Sequence, residues 1–382
     1  MTESGARPTP QGASAAAATG AARRHGTFHP LRVSAVEPLT DEAVAISFEV
    51  PPELAEEYAF APGQHLTLRY EIEGEDVRRN YSICAPAGSG RLRVAVKRLE
   101  GGAFSSHATS TLRVGDVLEV MTPTGRFTVP IDPAHAKHYV AIAAGSGITP
   151  VLSILSTVLE AEPASRCTLV YGNRTTRSVM FLEELADLKN RHPGRLNLIN
   201  VLSRESAEVE LFSGRIDRER MERLLATLVP AESVDEWFLC GPFAMVESAR
   251  EALGEAGVDP RHVHRELFHV EGEGPRAASA RPTGASAEEG AAEVTVVLDG
   301  RSSTFPHTAD DGSVLDGALR VRSDAPFACK GGVCGTCRAK LVDGTVEMDV
   351  NYALEQDEVD AGFVLACQSH PTSKTLTLDF DQ

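Results

Sequence analysis

The stretch CKGGVCGTC, residues 329–337, places three cysteines within nine residues, and a fourth follows at Cys367 in LACQ. What binds four sulfurs at those intervals decides what the C-terminal part of the chain is. Three chemistries compete: a disulfide pair, a zinc ion and an iron–sulfur cluster. The N-terminus carries no long apolar core of the secretory kind, so clustered cysteines read as metal ligands before disulfides. A structural zinc site usually draws on two close cysteine pairs. Here Cys329, Cys334 and Cys337 share one loop as C-x4-C-x2-C, and Cys367 lies 30 residues further on.

That spacing is the plant-type [2Fe–2S] arrangement. Two irons need four thiolates, two on each. Gly331, Gly332 and Gly335 let the backbone close on the cluster and aim N–H groups at sulfur, which favours the reduced, more negative form. Zinc and plain core thiols stand as the alternatives. Around the loop, AAEVTVVLDGRSSTFP (291–306) reads as strand, Asp299-Gly300 turn and strand. SVLDGALR reads as a short helix and TLTLDF as a last strand. Residues 292–382 resemble the plant-type ferredoxin domain, which implies a small α+β, β-grasp fold.

Upstream, residues 271–291 (EGEGPRAASARPTGASAEEGA) hold no aliphatic residue larger than Ala. This is the composition of a flexible linker, which at this length spans roughly 25 Å. Residues 1–26 are rich in Ala, Gly, Ser, Thr and Pro and are expected to be a disordered tail. The net charge of −17 argues against nucleic acid and anionic membrane as partners. No run of apolar residues is long enough for a transmembrane helix. A cytoplasmic protein is the expectation.

Two further units precede the linker. Residues 27–133 are broken into short β-rich runs by PPEL, APGQ, IEGED and APAGSG, which suggests an antiparallel barrel or sandwich. In RLRVAVKRL, Leu92, Val94 and Val96 alternate with polar neighbours, the pattern of a half-buried strand. Over 134–270 the rhythm changes. HYVAIAAGSGITPVLSILSTVLEA (138–161) reads as buried strand, Gly-rich turn and helix. CTLVY, LNLINVL and EWFLC are further buried strands, and AMVESAREALGEAG is a helix. Strands alternating with helices predict a parallel α/β unit.

The motifs that carry chemistry sit at the ends of these strands. In RRNYSICAP (78–86), Arg79 and Tyr81 point the same way in an extended chain, with Ser82 beside them. A cation, a flat ring and a hydroxyl can hold a phosphate and stack on a flavin. In VKRLEGGAFSSH (96–107), Gly101 and Gly102 allow a tight turn, and Ser105 and Ser106 are expected N-cap donors of a helix. Together these stretches resemble the flavin domain of the ferredoxin–NADP reductase superfamily, with its R-x-Y-S motif. The resemblance implies FAD. It gives Arg79 the flavin pyrophosphate, Tyr81 the isoalloxazine ring, and Ser82 a place beside the reactive nitrogen. It also puts Lys97, Gly102 and Ser105 among the cofactor contacts.

AAGSGITPV (143–151) joins a strand to a helix, where Gly145 and Gly147 let a pyrophosphate meet the helix N-terminus. The superfamily uses G-x-G-x-T-P here, with Thr149 in the Thr place. It also uses C-G-P ahead of a helix, matched by Cys240-Gly241-Pro242, and its cysteine lies near the nicotinamide. In HRELF (264–268), the resemblance makes Glu266 a catalytic candidate and Phe268 a cover for the flavin. Arg174 and Arg177, in YGNRTTRS, and Arg204, in LSRE, follow the second and third α/β strands. They could pair with a 2′-phosphate, so NADPH is expected over NADH.

The order flavin, nicotinamide, ferredoxin resembles the reductases of multicomponent oxygenases across roughly 27–382. The implied function is to take electrons from NADPH through FAD and a [2Fe–2S] cluster to the di-iron subunits of an oxygenase. A reductase of another aromatic or alkane oxygenase is the nearest alternative. A ferredoxin-like carrier that has lost nucleotide binding is an alternative of a different class, and the intact R-x-Y-S, G-x-G-x-T-P and C-G-P stretches speak against it.

Overall fold

The structure, a computed structural model, describes residues 26–72, 74–268, 291–308 and 310–382. The linker read over 271–291 and the tail over 1–26 therefore lie outside the described residues, save Ala291 and Gly26.

The first unit is built from β1 (Phe28–Thr40), β2 (Ala43–Glu49), β3 (His65–Ile72), β4 (Glu75–Ser82), β5 (Leu92–Lys97) and β6 (Val117–Met121). They form one antiparallel sheet in the order β4-β3-β6-β1-β2-β5. Its two edges meet. Ile83 bridges Val94, and the Cys84 N–H donates to the Arg93 carbonyl at 2.9 Å. The sheet thus closes on itself as a barrel. Leu31, Val33, Ile46, Leu66, Leu68, Val94 and Val96 fill it, and helix α1 (Ala103–Ser110) packs Phe104 and Ala108 on the same core.

The second unit runs β7 (His138–Ala144), α2 (Ile148–Ala161), β8 (Arg166–Asn173), α3 (Leu182–Arg191), β9 (Leu196–Leu202), α4 (Arg218–Thr227), β10 (Glu236–Gly241), α5 (Phe243–Glu255), β11 (Val263–Leu267). All its strands are parallel, in the order β11-β10-β7-β8-β9. The chain order reverses between β7 and β10. In open parallel sheets ligands bind in the crevice at that switch point, beyond the carboxyl ends of the strands.

Barrel and α/β unit share a core. Ala43, Ala45, Cys84 and Ala95 from the barrel pack with Val151, Ile154, Leu155 and Val158 of α2. The small side chains let the two surfaces approach, and Ser153 Oγ donates to the Ala85 carbonyl at 2.7 Å. This corrects the half-buried reading of RLRVAVKRL. Arg93 and Ala95 are buried as well, because the outer face of β5 meets the α/β unit. Arg93 is charge-paired there with Glu37 and Glu184, each at 2.9 Å.

The third unit comprises β12 (Ala292–Leu298), β13 (Arg301–His307), α6 (Val314–Val321), β14 (Arg338–Asp343), β15 (Val346–Met348), α7 (Gln356–Asp360), β16 (Phe363–Leu365), β17 (Ser369–Pro371) and β18 (Thr375–Asp379). Its main sheet runs β13-β12-β18-β14-β16, with β15 and β17 paired apart. β12 and β13 join through Asp299 and Gly300, at φ 52° and 68°, the left-handed pair that a two-residue hairpin demands. Ser313 caps α6, its Oγ accepting from the Asp316 N–H at 3.2 Å. Leu315 and Ala318 of that helix pack on Val294, Val296, Leu376 and Leu378 of the sheet.

This unit rests against the other two. Arg78 of β4 donates to the carbonyls of Ser323 (3.2 Å) and Ala325 (3.4 Å) and lies over the Phe327 ring at 4.1 Å. Arg265 of β11 pairs with Glu355 at 2.7 Å, Arg126 pairs with Glu358, and Phe243 meets Tyr352 edge-on at 5.6 Å.

Candidate electron-transfer site

Side chains alternate along a strand, so β4 presents two sets of residues to two sides. Arg79 and Tyr81 share one side with their β3 partners Leu68 and Leu66. Arg79 is exposed, and its Nη1 donates to the Arg78 carbonyl at 2.7 Å. Tyr81 is part-buried against Phe104, ring centroids 5.4 Å apart, and burial pushes its phenol pKa up. An exposed guanidinium beside an anchored ring fits a flavin and its phosphates. The other side holds Arg78, Asn80 and Ser82 with their β3 partners Arg69, Thr67 and His65.

Ser82 Oγ donates to Glu266 Oε2 at 3.0 Å, and Glu266 Oε1 lies 3.8 Å from His65 Nδ1. Cys240 sits beside Glu266 in register, on the adjacent strand. It is fully buried; burial, and then the Glu266 charge, push its thiol well up. The three residues read as catalytic candidates, Ser82, Cys240 and Glu266, are thus brought together near the carboxyl ends of β10 and β11. Gly147 lets the turn after β7 approach the Cys240 backbone: a Cβ there would sit 2.1 Å from the Cys240 carbonyl oxygen.

Gly145 takes φ 55°, a conformation that favours glycine, and its Cβ position is 4.0 Å from Lys97 Nζ. Burial lowers the Lys97 pKa, and the nearby Arg174 charge lowers it further. The Arg204 N–H donates to the Arg174 carbonyl at 2.8 Å. Lys97, Gly145, Arg174 and Arg204 therefore line one path along the carboxyl ends of β7, β8 and β9.

Thr149 lies in the first turn of α2. It is buried, and its Oγ1 donates to the Ser146 carbonyl at 3.0 Å, closing the turn. Ser105 and Ser106 do not cap α1; Gly102 occupies that place, and no side chain caps it. Ser105 Oγ instead accepts from the Leu99 N–H at 3.1 Å and donates to the Gly102 carbonyl at 3.3 Å. The tight turn through Gly101 and Gly102 brings these groups within reach of the hydroxyl. Phe268, just past β11, is 40% exposed.

The four C-terminal cysteines form two pairs. Cys329 and Cys334 act on each other most strongly, as do Cys337 and Cys367. All seven cysteines are free thiols. Among the described residues, no group of three or more His, Cys, Asp or Glu is placed to hold a metal ion. A single zinc would draw four sulfurs to one point, whereas two irons accept them as two pairs. Backbone N–H groups surround the sulfurs. Cys329 is lowered to about 5 by the Cys334 thiol, with burial opposing and the N–H groups of Gly331, Val333 and Cys334 assisting. Gln368 Nε2 donates to Cys367 Sγ at 3.3 Å. Gly332 and Gly335, at φ 75° and 66°, make the turns that aim these groups inward.

Reading the sequence missed His65, Thr67 and Asn80. The signal was present in HLTLR, whose polar residues alternate with buried Leu66 and Leu68 and match in register the alternate residues of RRNYS.

A barrel bearing flavin-type groups, a parallel sheet with a nucleotide-type crevice and a thiolate loop meeting them both define an NAD(P)H-dependent flavin iron–sulfur oxidoreductase. Family profiles agree. The Oxidoreductase FAD-binding domain matches residues 30–129, the Oxidoreductase NAD-binding domain 141–251, and the 2Fe-2S iron-sulfur cluster binding domain 296–372. The chain belongs to the ferredoxin–NADP reductase superfamily, among the reductases of multicomponent oxygenases that carry a C-terminal ferredoxin domain. It is 46% identical over 355 residues to one of the subunits of 1,2-phenylacetyl-CoA epoxidase from Escherichia coli (strain K12), covering 93% of this chain and 98% of that one. FHPLRV, PGQHLTLR, RRNYSIC, KGGVCGTCRAKLVDGTVEMDVNYALE and VLACQSHP are the stretches on which this chain resembles the reductase subunit of that epoxidase, in line with the overall identity. The ferredoxin reductase component of 3-ketosteroid-9-alpha-monooxygenase from Mycobacterium tuberculosis (strain CDC 1551 / Oshkosh) is 36% identical, covering 92% of this chain and 96% of that one. Phthalate dioxygenase reductase superposes with TM-score 0.56 at 24% identity, over 92% of this chain and 98% of that one, a likeness of fold.

Proposed function

We propose that this chain passes electrons from NADPH, through FAD and a [2Fe–2S] cluster, to the di-iron oxygenase of a phenylacetyl-CoA epoxidase. The observation that supports it best is the meeting of all three units at one crevice. Ser82 touches Glu266 from the nicotinamide side, and two residues away Asn80 touches Thr336 in the cluster loop. The flavin, when bound, supplies conversion of a two-electron donor into single electrons, and the protein supplies position and electrostatics.

In this reading Arg79 neutralises the flavin pyrophosphate, Tyr81 stacks on the ring and Ser82 faces its reactive edge. Lys97, Gly102 and Ser105 complete the flavin side, and Phe268 covers the ring. Gly145, Gly147 and Thr149 shape the turn for the pyrophosphate of the nicotinamide dinucleotide. Arg174 and Arg204 read its 2′-phosphate, which favours NADPH. Cys240 and Glu266 border the nicotinamide, and Cys329, Cys334, Cys337 and Cys367 hold the cluster. Seven cysteines with no disulfide among them and a pyridine nucleotide donor suit a reducing cytoplasm.

Reconstitution tests the assignment. The purified chain, NADPH and the oxygenase subunits of the epoxidase should together oxygenate phenylacetyl-CoA, with turnover that depends on this chain. Turnover with a steroid or aromatic-ring oxygenase and none with the epoxidase would move the assignment to the second reading, reductase of another oxygenase, which the 36% relative keeps open.

A further inference from the structure

Asn80 occupies the variable position inside the R-x-Y-S motif, and its amide is fully engaged. Its Oδ1 accepts from Thr67 Oγ1 at 2.7 Å. Its Nδ2 lies 3.1 Å from His65 Nε2 and donates to Thr336 Oγ1 at 2.8 Å. Thr336 belongs to the cluster loop, 256 residues away in the chain, and its Oγ1 lies 3.2 Å from Cys334 Sγ. A hydroxyl has one proton and two lone pairs. The Cys334 thiol donates to this Oγ1; as a deprotonated cluster ligand it has no proton to give, so once Oγ1 accepts from Asn80 the hydroxyl proton is free for the sulfur.

His65 fixes the direction of this chain. With Asn80 Nδ2 donating, His65 Nε2 is the acceptor, so its proton sits on Nδ1, towards Glu266 Oε1 at 3.8 Å. Thr67 holds the other end of the amide. Two groups of the barrel therefore orient Asn80, and Asn80 orients Thr336.

We propose that Asn80 is a positioning residue that, only while the ferredoxin unit is docked, turns the Thr336 hydroxyl towards Cys334 and thereby raises the reduction potential of the cluster. The proposal rests on the reading of the four cysteines as cluster ligands. Hydrogen bonds to cluster sulfurs set the potential by favouring the more negative, reduced form. Undocked, Thr336 loses the donor that commits its proton to sulfur. The cluster is then a better acceptor beside the flavin and a better donor away from it. By linkage, reduction in turn favours docking by the same factor.

The test uses the full-length holoprotein, with cluster midpoint potentials read by electron paramagnetic resonance during a redox titration. Asn80→Asp offers Thr336 an acceptor in place of a donor and draws its proton off the sulfur. The reduction equilibrium should fall about tenfold, a shift of about 59 mV for one electron. Asn80→Ala should shift it in the same direction by a smaller factor. Thr336→Ser, which keeps the hydroxyl, should retain the wild-type potential, whereas Thr336→Val should lower it. A charge acting merely through space is separated by the double variant. In a Thr336→Val background, Asn80→Asp should have at most a twofold effect. An undiminished effect there overturns the proposal, as does an unchanged or raised potential in Asn80→Asp. Absence of a plant-type signal from reduced wild-type protein would instead remove the cluster reading on which the proposal rests.

Discussion

Arg78 is the residue whose loss should separate the ferredoxin unit from the flavin unit. It is 4% exposed, because Ser323, Ala325 and Phe327 cover it. Arg78→Met keeps the length of the side chain and removes the charge. Hydrogen bonds to a charged donor contribute about 1.5–3 kcal/mol. A cation over an aromatic ring adds about 0.5–2 kcal/mol. Asp76, at 2.9 Å, lies in the same hairpin, and its pairing with Arg78 contributes nothing to docking as such. Counting across the interface one such hydrogen bond, because the two present are long at 3.2 and 3.4 Å, and the cation over the ring, docking should weaken by about 2–5 kcal/mol, or roughly 30-fold or more. The assay is stopped-flow reduction by NADPH, following flavin and cluster absorbance separately. Flavin reduction should keep its rate, while electron arrival at the cluster slows at least tenfold. A loaded variant that transfers to the cluster at the wild-type rate would refute the reasoning, since the interface would then not set the distance that electrons cross.

Cys334→Ser or Cys337→Ser should remove the cluster and leave the flavin, against about two irons and two sulfides per wild-type chain; iron, sulfide and flavin assays check this. Arg174→Ala or Arg204→Ala should raise KM for NADPH about tenfold or more and that for NADH little, the size of one charge-assisted phosphate contact. A chain ending at Val270 should keep its flavin and reduce ferricyanide with NADPH, yet fail to support an oxygenase. Burial pushes the Glu236 carboxyl up, but the His264 hydrogen bond and then Lys137 outweigh it and hold it at about 2. Its contribution to stability is therefore full above 4.5 and lost as pH falls towards 2. Glu236→Gln should flatten the acid limb of the unfolding curve in that window.

The parts of this molecule that could be read in the sequence are those specified locally. Four thiolates at fixed spacing, an Asp-Gly turn and a strand running through Gly145 into a helix each carry their geometry within a few residues. What could not be read depends on partners far along the chain. Arg93 looks like an exposed polar position until Glu184 arrives across the shared core. Ser105 looks like a cap until the Leu99 backbone claims its hydroxyl. Asn80 looks like a spacer between Arg79 and Tyr81 because Thr336, its partner, belongs to another unit. The two-residue period of β4 was legible; which of its sides meets a partner was not.

That period also explains how one short segment serves three units. In RRNYS the odd positions, Arg79 and Tyr81, face the side proposed for the flavin. The even positions face outward from it: Arg78 to the ferredoxin backbone, Asn80 to the cluster loop and Ser82 to Glu266 of the nucleotide unit. A register slip of one residue would exchange the two sets and disconnect all three contacts at once. Eight paired positions from His65–Ser82 to Ile72–Glu75 hold the register, and buried Leu66 and Leu68 anchor it in the barrel core. The precision of the electron-transfer crossing is therefore supplied by the barrel. The ferredoxin unit needs only to dock on a face that the barrel has already fixed.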